Sequence, residues 1–242
     1  MTFYNINILP EIKQDGSPIT LADKLSHKKI LDLLSITKIP IISEEGGDQK
    51  VNHNKYWLID PLDGTKDFLA VNDEFTVNIA LIEKNRPILG VVYAPALNEM
   101  FTGIVGKEAY FDNGIIIKKS RKIPRHKSLV MATSRFHNHI GTDLFAESNN
   151  IKKKISIGSA LKFCRMAFGE IDVYPRLVGT SEWDTAAGQA ILEAAGGSLM
   201  DWHTGEPVLY GKNNMRNGMF IAYREPYKFQ EFIYQKYNSG LL

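Results

Sequence analysis

Residues 57–68 read WLIDPLDGTKDF, and the fold is decided there. Three apolar side chains, Trp57, Leu58 and Ile59, end a strand that runs straight into Asp60, and Asp63 follows three residues later. Pro61 has no backbone donor and is expected to stop the strand, while Gly64 permits a tight turn. The expected product is a cluster of two carboxylates and the free carbonyl of Leu62 where a sheet edge meets solvent. Carboxylates cost several kcal/mol to bury unless paired or bound to a metal. An all-oxygen set suits a hard cation such as Mg2+. An ordinary Asp-Gly turn capped by acids would use the same residues.

Two other segments bring acids to similar places. Residues 39–42, IPII, form a short apolar run that opens into Ser43-Glu44-Glu45-Gly46-Gly47, a strand end carrying an acid pair. Residues 180–197, TSEWDTAAGQAILEAAGG, place Asp184 at the start of a helix that Gly196-Gly197 ends. Ala186, Ala187 and Gly188 leave its first turn bare, and a bare helix start offers amides and a positive dipole end to a phosphate. A plain helix cap by Ser181 or Asp184 is the alternative there.

Around these segments the pattern changes once. Residues 20–34 predict a helix capped by Thr20, with Asp23 in its first turn. Strands are predicted over 56–60, over 74–82, where Phe75, Val77, Ile79 and Leu81 share one face, and over ILGVVYAP, which pairs back as a hairpin. Further strands follow in 98–117, with Gly103, Gly106 and Gly114 marking turns. The basic stretch KKSRKIPRHK, 118–127, is a loop before a domain change. Beyond it SLVMATS, EIDVYPR, SLMDW and GMFIAY are strands, 158–168 and 184–195 are helices, and 226–238 is a terminal amphipathic helix. Strands alternating with helices indicate an α/β layer.

The totals agree with a soluble globular protein. The chain of 242 residues is long enough for a full core, and 44% hydrophobic with 23% charged residues is an ordinary globular balance. A net charge of +2 gives no reason to expect a polyanion-binding surface over the whole molecule but leaves room for a small phosphorylated substrate. The single cysteine, Cys164, excludes an intramolecular disulfide and fits a reducing compartment; no secretory signal or membrane-spanning run is present, so a cytoplasmic location is expected.

SEEG, WLIDPLDGTKDF and WDTAAGQAILEAAGG resemble the three signatures of the inositol monophosphatase superfamily of metal-dependent, lithium-sensitive phosphatases. KQDGSPITLAD, NDEFTVNIALI, ILGVVYAP, SIGSALKFC and the strand ending YPR are similar to its 3'(2'),5'-bisphosphate nucleotidase branch. The likeness runs from residue 13 to about residue 222. It implies the layered αβαβα sugar-phosphatase fold: an N-terminal α+β half, residues 1–127, holding most metal ligands, and a C-terminal α/β half, residues 128–242, holding the specificity residues.

By that resemblance Glu44, Asp60, the Leu62 carbonyl, Asp63 and Asp184 ligate two or three Mg2+ ions. Asp60 would bridge two of them, with Glu44 and Leu62 on one and Asp63 and Asp184 on the other. Gly64 and Thr65 cradle the scissile phosphate through backbone amides. Asp23 pairs with the Thr65 hydroxyl, and the two orient the attacking water. Ser159, Lys162 and Arg176 hold a second phosphate and the ribose, as expected of cations facing phosphate. The implied reaction hydrolyses the 3'-phosphate of adenosine 3',5'-bisphosphate to AMP, clearing a by-product of sulfate assimilation. An inositol or sugar monophosphatase and a non-catalytic nucleotide binder are the alternatives. Family members occur as monomers and homodimers.

Several features fit simpler readings. KKSRKIPRHK and IKKKIS, 151–156, have no interleaved aromatics and are expected as solvated loops, not nucleic-acid contacts. His137-Asn138-His139 has no metal-spaced partner and reads as a polar loop, and Gly64-Thr65-Lys66 lacks the order of a P-loop. Cys164 reads as a small buried residue. Members of the family begin with a helix before the Lys-x-Asp-x-Ser-Pro segment, and MTFYNINILPEI has no helical pattern, so that helix is expected to be missing here.

Overall fold

The structure, a computed structural model, describes residues 4–5, 9–13, 16–47, 52–136 and 139–233. An antiparallel pair, β1 (Glu11–Ile12) and β2 (Pro18–Ile19), leads into α1 (Leu21–Leu34). Thr20 caps α1 as predicted: its hydroxyl accepts from Ala22 N, and the Asp23 carboxylate accepts from Thr20 N at 2.8 Å. No helix precedes α1 among the described residues.

A seven-stranded sheet follows, ordered as in the chain. β3 (Ile41–Ser43) runs parallel to β4 (Lys55–Asp63), and the short α2 (Thr65–Leu69) follows β4. β5 (Thr76–Glu83), β6 (Arg86–Ala94), β7 (Glu99–Ile104), β8 (Ala109–Asp112) and β9 (Ile117–Lys119) form an antiparallel meander. The rest of the chain gives β10 (Val130–Ser134), α3 (Ile140–Ser148), β11 (Lys153–Ile157), α4 (Leu161–Ala167), β12 (Val173–Arg176), β13 (Thr180–Ser181), α5 (Ala186–Ala194), β14 (Ser198–Asp201), β15 (Arg216–Asn217) and β16 (Phe220–Tyr223). Five of these strands make the second sheet, in the order β11-β10-β12-β16-β14, and β13 pairs with β15 apart from it.

The stacking is αβαβα. α1 packs on β3 and β4 from outside, where the Trp57 indole donates to Thr37 Oγ1 at 3.1 Å. α4 and α5 fill the space between the sheets, in one core that includes Leu58, Ala80, Phe101, Phe163, Ile191 and Phe220. α3 covers the far side of the second sheet, with Phe145 and Ala146 against Met131, Val173 and Ile221. The middle layer is thin because small residues meet there. A Cβ on Gly90 would lie 2.2 Å from Ala187 O, and one on Gly103 would lie 2.6 Å from Ile191 Cα.

That close approach corrects two expectations. Gly103 is inside β7, where α5 presses on it, and does not mark a turn; Gly106 and Gly114, both at positive φ, do. The bare first turn of α5 is buried packing surface: a Cβ on Gly188 would lie 2.4 Å from the Phe163 ring, and Ala186 N already donates to Glu182 O. The Ala-Ala-Gly run therefore serves close packing, of Ala187 against Gly90 of β6 and of Gly188 against Phe163 of α4.

Other differences have equally local causes. Val77, Ile79 and Leu81 do share a face, but it is the less buried one; Thr76, Asn78, Ala80 and Ile82 point to the interior, and Phe75 packs separately with Leu62 and Phe68. IKKKIS is not a loop, since it contains most of β11, an edge strand whose lysines keep it in solvent. α3 was not predicted; His139 starts it, its Nδ1 accepting from Gly141 N, while residues 137–138 lie outside the described ones. The expected helix over 226–238 is, as far as residue 233, a single 3-10 turn at Phe229–Glu231, and residues 234–238 lie outside the described ones.

Candidate active site and metal centre

The opening motif does not end its strand. β4 continues through Pro61 to Asp63 by way of a bulge: Asp60 pairs with Asn78 and Asp63 with Thr76, so three steps on β4 oppose two on β5. A bulge needs no ladder donor from the extra residue, which is why a proline is tolerated there. Its effect is geometric. Asp60 and Asp63, three apart, would fall on opposite faces of a regular strand; the extra residue turns both toward the interior, beside Asn78 and Thr76. The chain holds this shape locally, with Leu62 N donating to Asp60 Oδ1 at 3.0 Å and Ser26 Oγ to Pro61 O at 2.8 Å.

Asp184 meets these two acids from the other side. It lies just before α5, with its Oδ2 accepting from Ser181 N at 2.9 Å. Asp60, Asp63 and Asp184 each offer a carboxylate oxygen, and these atoms all lie within 4.8 Å of one another. Asp63 is the joint between the sheets: its Oδ2 accepts from Ala160 N at 2.7 Å and from Asn78 Nδ2 at 3.1 Å. Glu44, in the 3-10 turn after β3, lies outside this tightest group but next to Asp60. Lys13 holds Glu44 at 2.9 Å and Glu45 at 2.6 Å.

Burial and mutual repulsion disturb all three central acids. Burial pushes the Asp60 carboxyl well above its ordinary range, and the charges of Glu44, Asp63 and Asp184 add to it. Asp63 is raised by burial, against the opposing pull of Lys162. Asp184 is pushed up to about 8 by burial, then by Asp63 and Glu44. Clustered acids of this kind are stable when protonated or when a cation bridges them. Their oxygen-only donor set fits a hard divalent cation, and the Leu62 carbonyl, in the same wall of the cleft, offers one more oxygen.

Beside the acids, Gly64 sits at φ 86°, a left-handed conformation open to glycine, and starts α2. Thr65 Oγ1 is 3.4 Å from Asp23 Oδ1 and 3.5 Å from Leu62 O. Asp23 is buried, and its other oxygen is fixed by Thr20 N at 2.8 Å and Thr20 Oγ1 at 2.5 Å. The residue that caps α1 is thus also the acceptor facing Thr65.

A cleft of about 760 Å3 opens over this group, walled by both sheets. Ser159, Lys162 and Arg176 all line it. Ser159 stands at φ 42°, its hydroxyl donating to Glu74 O at 2.9 Å. The buried Lys162 ammonium donates to Ile157 O at 3.0 Å and Ser159 O at 2.7 Å, and burial lowers its pKa to about 8. Arg176 Nε donates to Val178 O at 3.2 Å. Glu44, Asp60, Leu62, Asp63, Gly64, Thr65, Ser159, Lys162, Arg176 and Asp184 therefore border one cleft, while the buried Asp23 stands behind Thr65 and does not line it.

Supporting residues escaped the sequence reading. Asn78 escaped because the alternation of Phe75, Val77, Ile79 and Leu81 set it on the opposite face, which proves to be the buried one. Lys13 was met only as part of the segment KQDGSPITLAD and carried no role. Nor did Arg135, which pairs with Glu74 and lies 3.4 Å from Asp67, tying the loop after α2 to Gly158, whose N–H Glu74 accepts at 2.8 Å.

Comparison with known proteins bears on this site. The sequence profile described as the inositol monophosphatase family matches residues 7–239. The 3'(2'),5'-bisphosphate nucleotidase CysQ of Escherichia coli (strain K12) is 42% identical over 203 residues, covering 82% of this chain and 81% of that protein. CysQ of Salmonella typhimurium is 44% identical over 195 residues, 78% of each chain. The crystal structure of CysQ from Bacteroides thetaiotaomicron superposes with a TM-score of 0.79 at 35% identity, over 89% of this chain and 88% of that one.

Proposed function

The chain belongs to the inositol monophosphatase family, and we propose that it is a Mg2+-dependent 3'(2'),5'-bisphosphate nucleotidase that hydrolyses the 3'-phosphate of adenosine 3',5'-bisphosphate to AMP. The observation that carries this reading is the meeting of Asp60, Asp63 and Asp184 within 4.8 Å, next to the Asp23–Thr65 pair.

Asp60, Asp63, Asp184, Glu44 and the Leu62 carbonyl would hold the divalent ions. Bound there, Mg2+ would supply charge neutralisation for the phosphate dianion and the departing oxygen and would lower the pKa of a water. The remaining work belongs to the chain. Gly64 and Thr65 present backbone amides at the start of α2 to the phosphoryl oxygens. Asp23, locked by Thr20, accepts a hydrogen bond from the Thr65 hydroxyl, so a lone pair of Thr65 Oγ1 is left to accept a hydrogen bond from the attacking water. The water oxygen bonds to phosphorus, the P–O bond to the ribose breaks in line, one proton of the water ends on the ribose oxygen, and the other stays on the released phosphate. Ser159, Lys162 and Arg176 shape the far end of the cleft for the nucleotide. Cys164 takes no part: it is buried on α4, and burial pushes its thiol up, away from the nucleophilic form.

No helix among the described residues is long and apolar enough to cross a membrane, in keeping with a small-molecule substrate met in solution. The test is a panel of phosphate-release rates on adenosine 3',5'-bisphosphate and inositol 1-phosphate, with Mg2+, with EDTA and with Li+. Mg2+-dependent, Li+-inhibited turnover of the nucleotide is expected to exceed that of the inositol phosphate. The reverse preference identifies an inositol phosphatase, and nucleotide binding without turnover identifies a binder.

A further inference from the structure

The cations that border the cleft differ in how many of their donors are already used. Arg135 is committed to Glu74 and Asp67. Lys162 gives two of its three N–H bonds to the carbonyls of Ile157 and Ser159. Arg176 spends its Nε on Val178 O. Arg216, which the sequence motifs do not include, is the opposite case. Its side chain makes one hydrogen bond, from Nη1 to Ser181 Oγ at 2.9 Å, and forms no ion pair among the described residues. It is exposed and borders the cleft.

Its placement is fixed by the small ribbon. Ser181 on β13 and Arg216 on β15 are register partners, and the buried Asn217 locks that ribbon by donating to Thr185 Oγ1 at 2.8 Å and Ser181 O at 3.2 Å. Ser181 also donates its N–H to Asp184, so the guanidinium stands on the turn that carries the third acid. Gly179, next along the cleft wall after Val178, lets the ribbon pass close: a Cβ there would lie 3.1 Å from Asn217 O.

We propose that Arg216 is a specificity-determining contact that receives the phosphate of the substrate that is not cleaved, together with Arg176, while Lys162 acts chiefly by holding the Ile157–Ser159 loop in shape. This rests on the nucleotidase reading above and adds a residue to it. An exposed guanidinium with four free donors in a planar fork suits a phosphate, and an arginine without a carboxylate partner keeps its charge for a ligand.

The experiment compares the native protein with Arg216→Leu and Arg216→Lys on adenosine 3',5'-bisphosphate and adenosine 3'-monophosphate. In Arg216→Leu the ratio of the two kcat/KM values is expected to fall about 10- to 100-fold, through KM of the bisphosphate. Arg216→Lys recovers part of it, keeping the charge without the fork. Calorimetry with Mg2+ present measures AMP, which carries the phosphate in question, against inorganic phosphate. AMP binding weakens by a similar factor in Arg216→Leu, and inorganic phosphate binding moves far less. A ratio that stays at the native value overturns the proposal, whether both rates fall together, which would place Arg216 behind the Asp184 turn, or neither falls. If the native protein does not hydrolyse the bisphosphate, the nucleotidase reading fails, and the AMP titration still decides: equal affinity in native and Arg216→Leu protein overturns the contact, and weaker affinity in the variant sustains it.

Discussion

Asp184→Asn is expected to make the metal-free protein more stable while destroying its response to Mg2+. Asp184 lies within 4.8 Å of the carboxylate oxygens of Asp60 and Asp63, and burial with those neighbours pushes it up to about 8 from an ordinary 3.8. The folded carboxyl thus holds its proton more tightly than the unfolded one. Its contribution to stability is fully present below about pH 4 and is withdrawn as pH rises through about 8. At about 1.4 kcal/mol for each tenfold change in proton affinity, the whole difference approaches roughly 5–6 kcal/mol. Asp184 is only partly buried and shares its titration with two neighbours, which reduces the recoverable part to about 2–3 kcal/mol. Asparagine keeps the acceptor for Ser181 N and removes the charge. In EDTA at pH 8 the variant is expected to melt about 4–12 °C above the native protein, and the gap should close as the pH falls to about 4. Adding Mg2+ at pH 8 raises the native Tm by mass action and leaves the variant close to its metal-free value. Thermal unfolding followed by circular dichroism measures all of these. Equal melting of the two proteins in EDTA at pH 8, or equal gains from Mg2+, would refute the idea that these acids form one repelling cluster relieved by a cation.

Three further outcomes follow from the contacts described. Thr65→Ala, which removes the hydroxyl facing Asp23, lowers kcat about 100-fold or more with the circular dichroism spectrum preserved; a near-native rate would take Thr65 out of the mechanism. Gly103→Val drives a side chain into Ile191 and α5, so urea unfolding should show a loss of at least about 1–3 kcal/mol, and a stable variant would mean the helix can yield there. Asp172 is fully buried and accepts from Arg224, His126 Nδ1 and Val130 N, so Arg224→Ala leaves a buried charge short of its partner and costs about 3–5 kcal/mol in the same assay; a loss under about 1 kcal/mol would show the charge reaching solvent.

How much of this was legible depends on whether the chemistry is written locally. The acids at 60 and 63 were readable as a site because a proline and a glycine flank them within seven residues, and Thr20 with Asp23 was readable as a cap because a helix start is a four-residue event. The same local reasoning misjudged Pro61. A missing donor stops a regular ladder, yet a bulge requires none, and whether β4 ends or bulges is decided by β5, through Asn78 and Thr76. Gly103 and the Ala186–Gly188 turn failed for a related reason: a glycine in a strand and a bare helix start each look like self-contained signals, but here each is small because another element comes close, Ile191 of α5 at Gly103, Gly90 of β6 at Ala187 and the Phe163 ring of α4 at Gly188. The lysines of β11 read as a loop because charge in sequence carries no record of a sheet edge. Arg216 marks the limit of such reading. Nothing in NNMRNGMF distinguishes it from a surface arginine; its meaning comes from its register partner Ser181, thirty-five residues away, which shares its turn with Asp184. Residues that define a reaction centre can be recognised from a short stretch, because the chemistry demands particular types side by side. Residues that choose among substrates need only reach the same space, and which ones do so is settled when distant strands pair.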